Sequence, residues 1–536
     1  MTLEGWIVGI LWYGGRIYTL ENEGNTVQAV LTSGGQIVAT GNPEFLRAKF
    51  HKEIAKEHNL QGNTMIPGLV DSHMHLIGHG EKLLRLDFSK IKSSAEMLDM
   101  IKQRASEVPK GRWIIGEGWN ENQLEDSKIL HRTELDEVSP NHPVLLKRIC
   151  RHALIANSKA LQLANISKET IDPAGGVIVR DDDNHPTGYL LDKAQDMLLS
   201  ISPFPTLDEI QYALEFSIKD CYKKGLVGGH TEDLSYYGSL ENTLKAYENV
   251  VEKGLKFRSH LLVHHQVVDE FHLRKRENGL FIEFGAMKIF ADGALGGRTA
   301  LLSFPYKDDP TTSGVAIHTK EELEELIKKA RRFKMEVAVH AIGDLAFEWI
   351  LDLIEKHPPG DRQHDRLIHA QILREELIEK AKSLPIILDI QPRFVGSDFP
   401  WVIDRIGEEN LKSCYAWKTL IDIGIPCAGG SDAPIEPVDP ILGIYAAMKR
   451  TSDYEKSGKS YMPEQKLSVY EAVELYTKGS AYAVHKESKQ GMIKQGYVAD
   501  FTVFDQDIFA IDAEELLNTN VIMTVVDGDI MYKRGQ

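Results

Sequence analysis

Cysteine is scarce: only Cys150, Cys221, Cys414 and Cys427 occur in 536 residues, with no CxxC pair among them. That spacing rules out a disulfide framework and removes any need for an oxidising compartment. Long apolar runs are missing as well. No stretch reaches the ~18 apolar residues of a membrane helix, so neither a span nor a membrane partner is expected. Residues 1–20 lack a basic leader, and their apolar run at 6–13 is broken by glycine, which reads as a strand rather than a signal peptide. Positive charge is also in deficit. A net charge of −17 leaves nothing to replace the counterions of a phosphate backbone, so no nucleic-acid partner is expected. No internal repeat or low-complexity tract is visible. What is present, 42% hydrophobic and 26% charged residues, is the composition of a folded soluble protein, with the cytoplasm as its default location.

Both ends of the chain read as short strands separated by glycine turns. They fall at 6–13, 16–19, 27–32 and 36–39 near the start, and at 501–504, 521–526 and 529–532 near the end. One small β-sandwich built from both termini, residues 1–63 with 487–536, accounts for them. The middle instead alternates apolar strands with amphipathic helices. Strands at 285–290, 334–340, 366–369, 385–391 and 425–430 are spaced by helical patterns such as 321–332 and 345–356. This βα alternation is that of an α/β fold, and its length suits a (β/α)8 TIM-like barrel.

Taking 64–71 as the first barrel strand and 285–290 as the fourth leaves room for two between them. Four segments compete: 113–116, 144–147, 226–230 and 257–263. The last two directly follow helical patterns at 207–224 and 240–253, as barrel strands should. The barrel then comprises 64–79 and 206–486, and residues 80–205 form a large insertion after its first strand.

The strongest local signal is Pro67-Gly-Leu-Val-Asp-Ser-His-Met-His75. Alternate residues of a strand share a face, so His73 and His75 can hold one cation. Such a pair alone is weak evidence in a chain with 20 histidines. It gains force because His340, His369 and Asp432 also end expected strands, and those ends converge on one face of a (β/α)8 barrel. Lys288, on the fourth strand, would point its amine into the packed barrel. Burial disfavours the ammonium and makes the amine nucleophilic, so it can take up CO2 as a carbamate that bridges two cations. The bland alternative is a lysine that snorkels outward or pairs with Asp292. Glu117, Trp119, Asn120 and His152 in the insertion, and Arg298 in the glycine-rich loop after Lys288, are candidate substrate contacts, and structural roles suit them equally.

Taken together, these stretches resemble the amidohydrolase superfamily, in the branch that contains N-substituted formamide deformylase. The matching segments are Ile66 to His75, Gly116-Glu-Gly-Trp-Asn120, His152 with Asn157-Ser-Lys-Ala-Leu161, and Pro186-Thr-Gly188. They continue with Lys288 to Ala300, His340-Ala-Ile-Gly-Asp344, Ile368-His-Ala370, Gly430-Ser-Asp432 and Gly491 to Asp500. Asn120 departs from the pattern, since relatives often carry Asp there. The resemblance implies that His73, His75 and Asp432 ligate a first divalent metal. A carboxylated Lys288 then bridges to a second, held by His340 and His369. It further implies that Asp432 acts as general base and then general acid. Zinc is the leading metal, with manganese, iron or cobalt also compatible. The implied reaction is hydrolysis of a C–N amide-type bond in a small molecule. Deamination or cyclic amide or imide hydrolysis is the alternative, and an inactive scaffold is a third reading. Nothing in the residues decides the assembly, for which a homodimer is the fair default.

Overall fold

The computed structural model describes residues 9–148, 153–173, 175–200, 205–274, 278–455 and 457–535. It divides into two compact units: the chain up to His79 together with Leu207 onward, and Gly80–Thr206.

Eight parallel strands of the first unit lie side by side in chain order: Leu69–Met74, Leu226–Thr231, Arg258–His264, Ile282–Phe290, Val337–Ala341, Asp365–His369, Ile386–Ile390 and Cys427–Gly429. Their burial explains their composition. Asp365–His369 and Ile386–Ile390 are buried at every residue, as expected of parallel strands covered on both faces. Helices cover the outside. In Lys320–Arg332, Leu323, Ile327 and Ala330 recur at helical spacing and are buried, while Thr319 and Glu322 form a reciprocal capping box at its start.

The first and last strands meet through backbone bonds. Asp432 N donates to His73 O (2.7 Å) and His75 N to Ala433 O (2.7 Å). The Asp71 carboxylate accepts from Ser431 N at 3.1 Å. This closure needs Gly430, because a Cβ there would lie 2.5 Å from His73 N. The nearly closed ring is the TIM-like α/β fold expected from the sequence.

Two expectations for the ends of the chain are corrected. Residues 64–71 are not one strand. Thr64–Pro67 pairs with Phe501–Phe504 in the terminal sheet, and the barrel begins only at Leu69. The break falls at Gly68, whose N–H donates to Asp500 O (2.9 Å) and where a Cβ would meet the Val227 side chain at 2.6 Å. The terminal strands form one continuous eight-stranded sheet drawn from both ends of the chain. The segments read as separate strands near residues 6–13 and 16–19 are one strand, Gly9–Tyr18, with an irregularity between Tyr13 and Ile17. On one edge that strand pairs with Ile54–Asn59 before the irregularity and with Thr64–Pro67 after it. Changing partners there links the N- and C-terminal strands, and Trp12, Ile17, Val30, Met65, Phe501 and Val525 share one core.

The second unit carries its own six-stranded sheet, which includes the competing segments Ile114–Trp119 and Val144–Arg148 as a parallel pair. Its core packs Phe88, Met97, Ile101, Ile114, Leu135 and Leu146. Among the described residues no helix is long and apolar enough to cross a membrane.

Candidate metal centre

The C-terminal ends of the barrel strands bring His73, His75 and Asp432 together, with one ligand atom of each within 4.8 Å of the others. Asp432 Oδ1 lies 3.5 Å from His73 Nε2 and 3.4 Å from His75 Nε2. The backbone holds the geometry under strain. Asp432 (φ 56°), His369 (φ 82°) and Ala370 (φ 45°) occupy left-handed conformations that side-chain-bearing residues rarely adopt.

Hydrogen bonds set which nitrogen of each ring is free. His75 Nδ1 donates to Glu232 O (2.9 Å), His369 Nδ1 to Gln391 Oε1 (2.8 Å), and His340 Nε2 to Gly293 O (3.0 Å). Each ring thus keeps one lone pair for a cation, oriented as metal-ligating histidines usually are. The His369 ring packs edge-on to His340 at 4.5 Å and to His73 at 5.6 Å between centroids. Burial holds His73 and His340 well below the usual imidazole range, and brings His369 down to about 4. Neutral imidazole is the ligating form. His75 differs: burial opposes its charge, but the hydrogen bond and charge of Asp432 prevail and raise it to about 9.

Lys288 is fully buried, and its Nζ has no hydrogen-bond partner. Burial lowers its pKa. Its nearest carboxylate is Glu232, at 4.0 Å, and the Phe290 ring lies 4.6 Å beneath the amine. The alternative partner expected from sequence, Asp292, is engaged elsewhere. Its oxygens accept from Leu301 N, Ile342 N and Gly343 N at 2.8–3.0 Å. Glu232 itself is fully buried, with Oε1 unpartnered and Oε2 accepting from Tyr236 OH at 2.9 Å. The sequence reading missed it. The available signal was its place immediately after the second barrel strand, at the same level as the histidines that end theirs.

An orphaned amine, a half-satisfied carboxylate and histidines with free lone pairs form a donor set that fits a divalent metal.

The remaining candidates among the described residues each have partners of their own. Trp119 is fully buried in the insertion's own core and donates from Nε1 to Leu146 O (2.9 Å), so packing accounts for it. Asn120 Oδ1 accepts from Arg148 Nη2 at 3.2 Å, and Glu117 lies 3.8 Å from Arg85 Nη1. Arg298 is paired with Asp308 at 2.9 Å and sits at φ 56°, the signature of a pinned loop. His152 lies outside the described residues.

The model of the amidohydrolase family, Amidohydro_3, matches residues 56–532. "Putative amidohydrolase YtcJ" of Bacillus subtilis (strain 168) is 55% identical, over 98% of this chain and 99% of its own. N-substituted formamide deformylase of Arthrobacter pascens is 27% identical, over 97% of each chain. Among solved structures, an uncharacterized metal-dependent hydrolase from Pyrococcus horikoshii OT3 is 29% identical with a TM-score of 0.78, covering 94% of this chain and 99% of that one.

Proposed function

Because the chain belongs to the amidohydrolase family and is a hydrolase, we propose that it cleaves a C–N amide-type bond of a small molecule, of the N-substituted amide or formamide kind. In this reading His73, His75 and Asp432 would hold one divalent ion and His340 and His369 a second, with a carboxylated Lys288 between them and zinc as the metal. Ions in such a set supply Lewis acidity and an acidified water near neutral pH.

The chain's own residues do the rest. Asp432 takes the proton of the attacking water and returns it to the leaving nitrogen, so one carboxylate serves both half-steps. Lys288, as the neutral amine that burial favours, forms an N–C bond with CO2 and releases one proton to solvent. Glu232, which burial pushes above the usual carboxylate range, lies 4.0 Å from the Lys288 amine that would carry the carbamate. The formamide-like substrate class is carried over from the Arthrobacter pascens relative.

The observation that carries the proposal is the pairing of the His73–His75–Asp432 cluster with a buried, unpartnered Lys288 Nζ. One feature favours a second reading, a single ion serving deamination or cyclic amide hydrolysis: of the five histidine and aspartate ligands proposed, all among the described residues, only His73, His75 and Asp432 fall within 4.8 Å of one another. A panel of N-substituted formamides, amides, esters, aminopyrimidines and cyclic imides, assayed with and without chelator, tests both. Chelator-sensitive release of amine from the formamides and amides is expected. Turnover confined to ring deamination or cyclic imides would overturn the amide reading.

A further inference from the structure

A second group of metal-type ligands lies at the opposite end of the barrel. Glu336, His364 and His485 place one ligand atom each within 4.8 Å of one another. Glu336 and His364 immediately precede the adjacent strands Val337–Ala341 and Asp365–His369, so both stand at strand beginnings. Glu336 lies four positions before His340 and His364 five positions before His369. At about 3.3 Å per residue, the cluster lies roughly 13–16 Å from the candidate metal centre.

The three groups converge from separate elements. His485 follows the short helix Ser480–Tyr482 and is held at φ 58°, with Nε2 2.6 Å from Glu336 Oε1. His364 is 5% exposed, and its Nε2 has no hydrogen-bond partner. Its ring is wedged between Tyr482, stacked at 4.6 Å, and His485 at 4.2 Å. A buried ring nitrogen left unsatisfied is destabilising, and a bound cation would relieve it. The neighbouring cation Lys486 is drawn off by Glu283 (2.8 Å) and does not compete for Glu336.

From this arrangement we infer that Glu336, His364 and His485 form a second, structural site for a borderline divalent cation such as zinc. His2Glu is a zinc-type donor set. The His485 side chain is 40% exposed, which leaves a way in and a fourth position for water. Tetrahedral zinc sets ligand atoms about 3.3 Å apart. Binding would therefore widen the short His485–Glu336 contact, draw His364 Nε2 inward and displace the proton shared by His485 and Glu336. The ion would tie the segment after the last barrel strand to the beginnings of the fifth and sixth.

The test is zinc content per chain of full-length protein equilibrated with zinc and desalted, comparing wild type with His485→Ala and Glu336→Gln. An anomalous map of zinc-soaked wild-type crystals accompanies it. Each variant is expected to carry one zinc fewer than wild type with its hydrolytic activity retained, and the map to show a peak among the three side chains. Equal zinc in wild type and both folded variants, or no peak there, would overturn the inference. If the variants do not fold, the wild-type map decides alone.

Discussion

Replacing Arg366 with methionine should be strongly destabilising. Its guanidinium is 1% exposed inside the barrel, with Nε donating to Asp389 Oδ2 (2.8 Å) and Nη2 to Ser72 O (2.7 Å), next to His73. Removing it strands the fully buried Asp389 carboxylate, a loss of about 3–5 kcal/mol. Spread over the roughly 400 residues of that unit, whose unfolding entropy is about 0.9 kcal/mol/K, this lowers the thermal midpoint by about 4–6 °C. The pair is not perfectly satisfied, since Arg366 Nη1 and Asp389 Oδ1 are buried without partners. Replacing both, Arg366→Met with Asp389→Leu, should therefore recover most of the loss. Calorimetry at a fixed scan rate on wild type, the single variant and the double variant gives the coupling. A single variant within a degree of wild type, or a double variant no better than the single, would refute the reasoning.

If Asp432 carries the proton as proposed, Asp432→Asn keeps an oxygen in place but cannot carry it, and kcat should fall about 10²–10⁴-fold in a steady-state assay on the best substrate of the panel. Trp119→Ala should act on the insertion's integrity, costing about 3–5 kcal/mol. Limited proteolysis should then show faster cleavage within Gly80–Thr206. His264 is lowered to about 3 by burial first and then by the charges of His265, Lys288 and His318. The unfolded chain protonates this residue sooner than the folded one, so its contribution to stability is full above about pH 6.5 and is lost as pH falls towards 3. Denaturant titrations of the metal-free protein across that window should show a shallower decline, by a few kcal/mol, in His264→Gln.

Much of the barrel, and the gathering of His73, His75 and Asp432 at its strand ends, could be read from residue order. Strand-end histidines, a His-x-His and an aspartate after Gly430 carry their meaning locally, because a two-residue period and a strand terminus are local properties. The breaks and partners could not be read that way. Thr64–Pro67 and Leu69–Met74 look like one apolar run, and only the pairing of the first with Phe501–Phe504 separates them. The single terminal sheet depends on the partner change along Gly9–Tyr18, a contact between segments distant in sequence. Glu232 was overlooked because a lone glutamate after a strand has no pattern of its own until the fold sets it beside Lys288. Trp119 shows the converse, since a motif tryptophan in the sequence proves to be packing in the structure.

What Lys288 carries decides whether the barrel holds two metal ions or one. A crystal structure of the protein as purified in bicarbonate-containing buffer, with data at the metal absorption edges, answers this directly. Two anomalous peaks among His73, His75, His340, His369 and Asp432, with carboxylate density continuous from Lys288 Nζ, are predicted. A single peak at His73, His75 and Asp432, with a bare Lys288 amine facing Glu232, would contradict it.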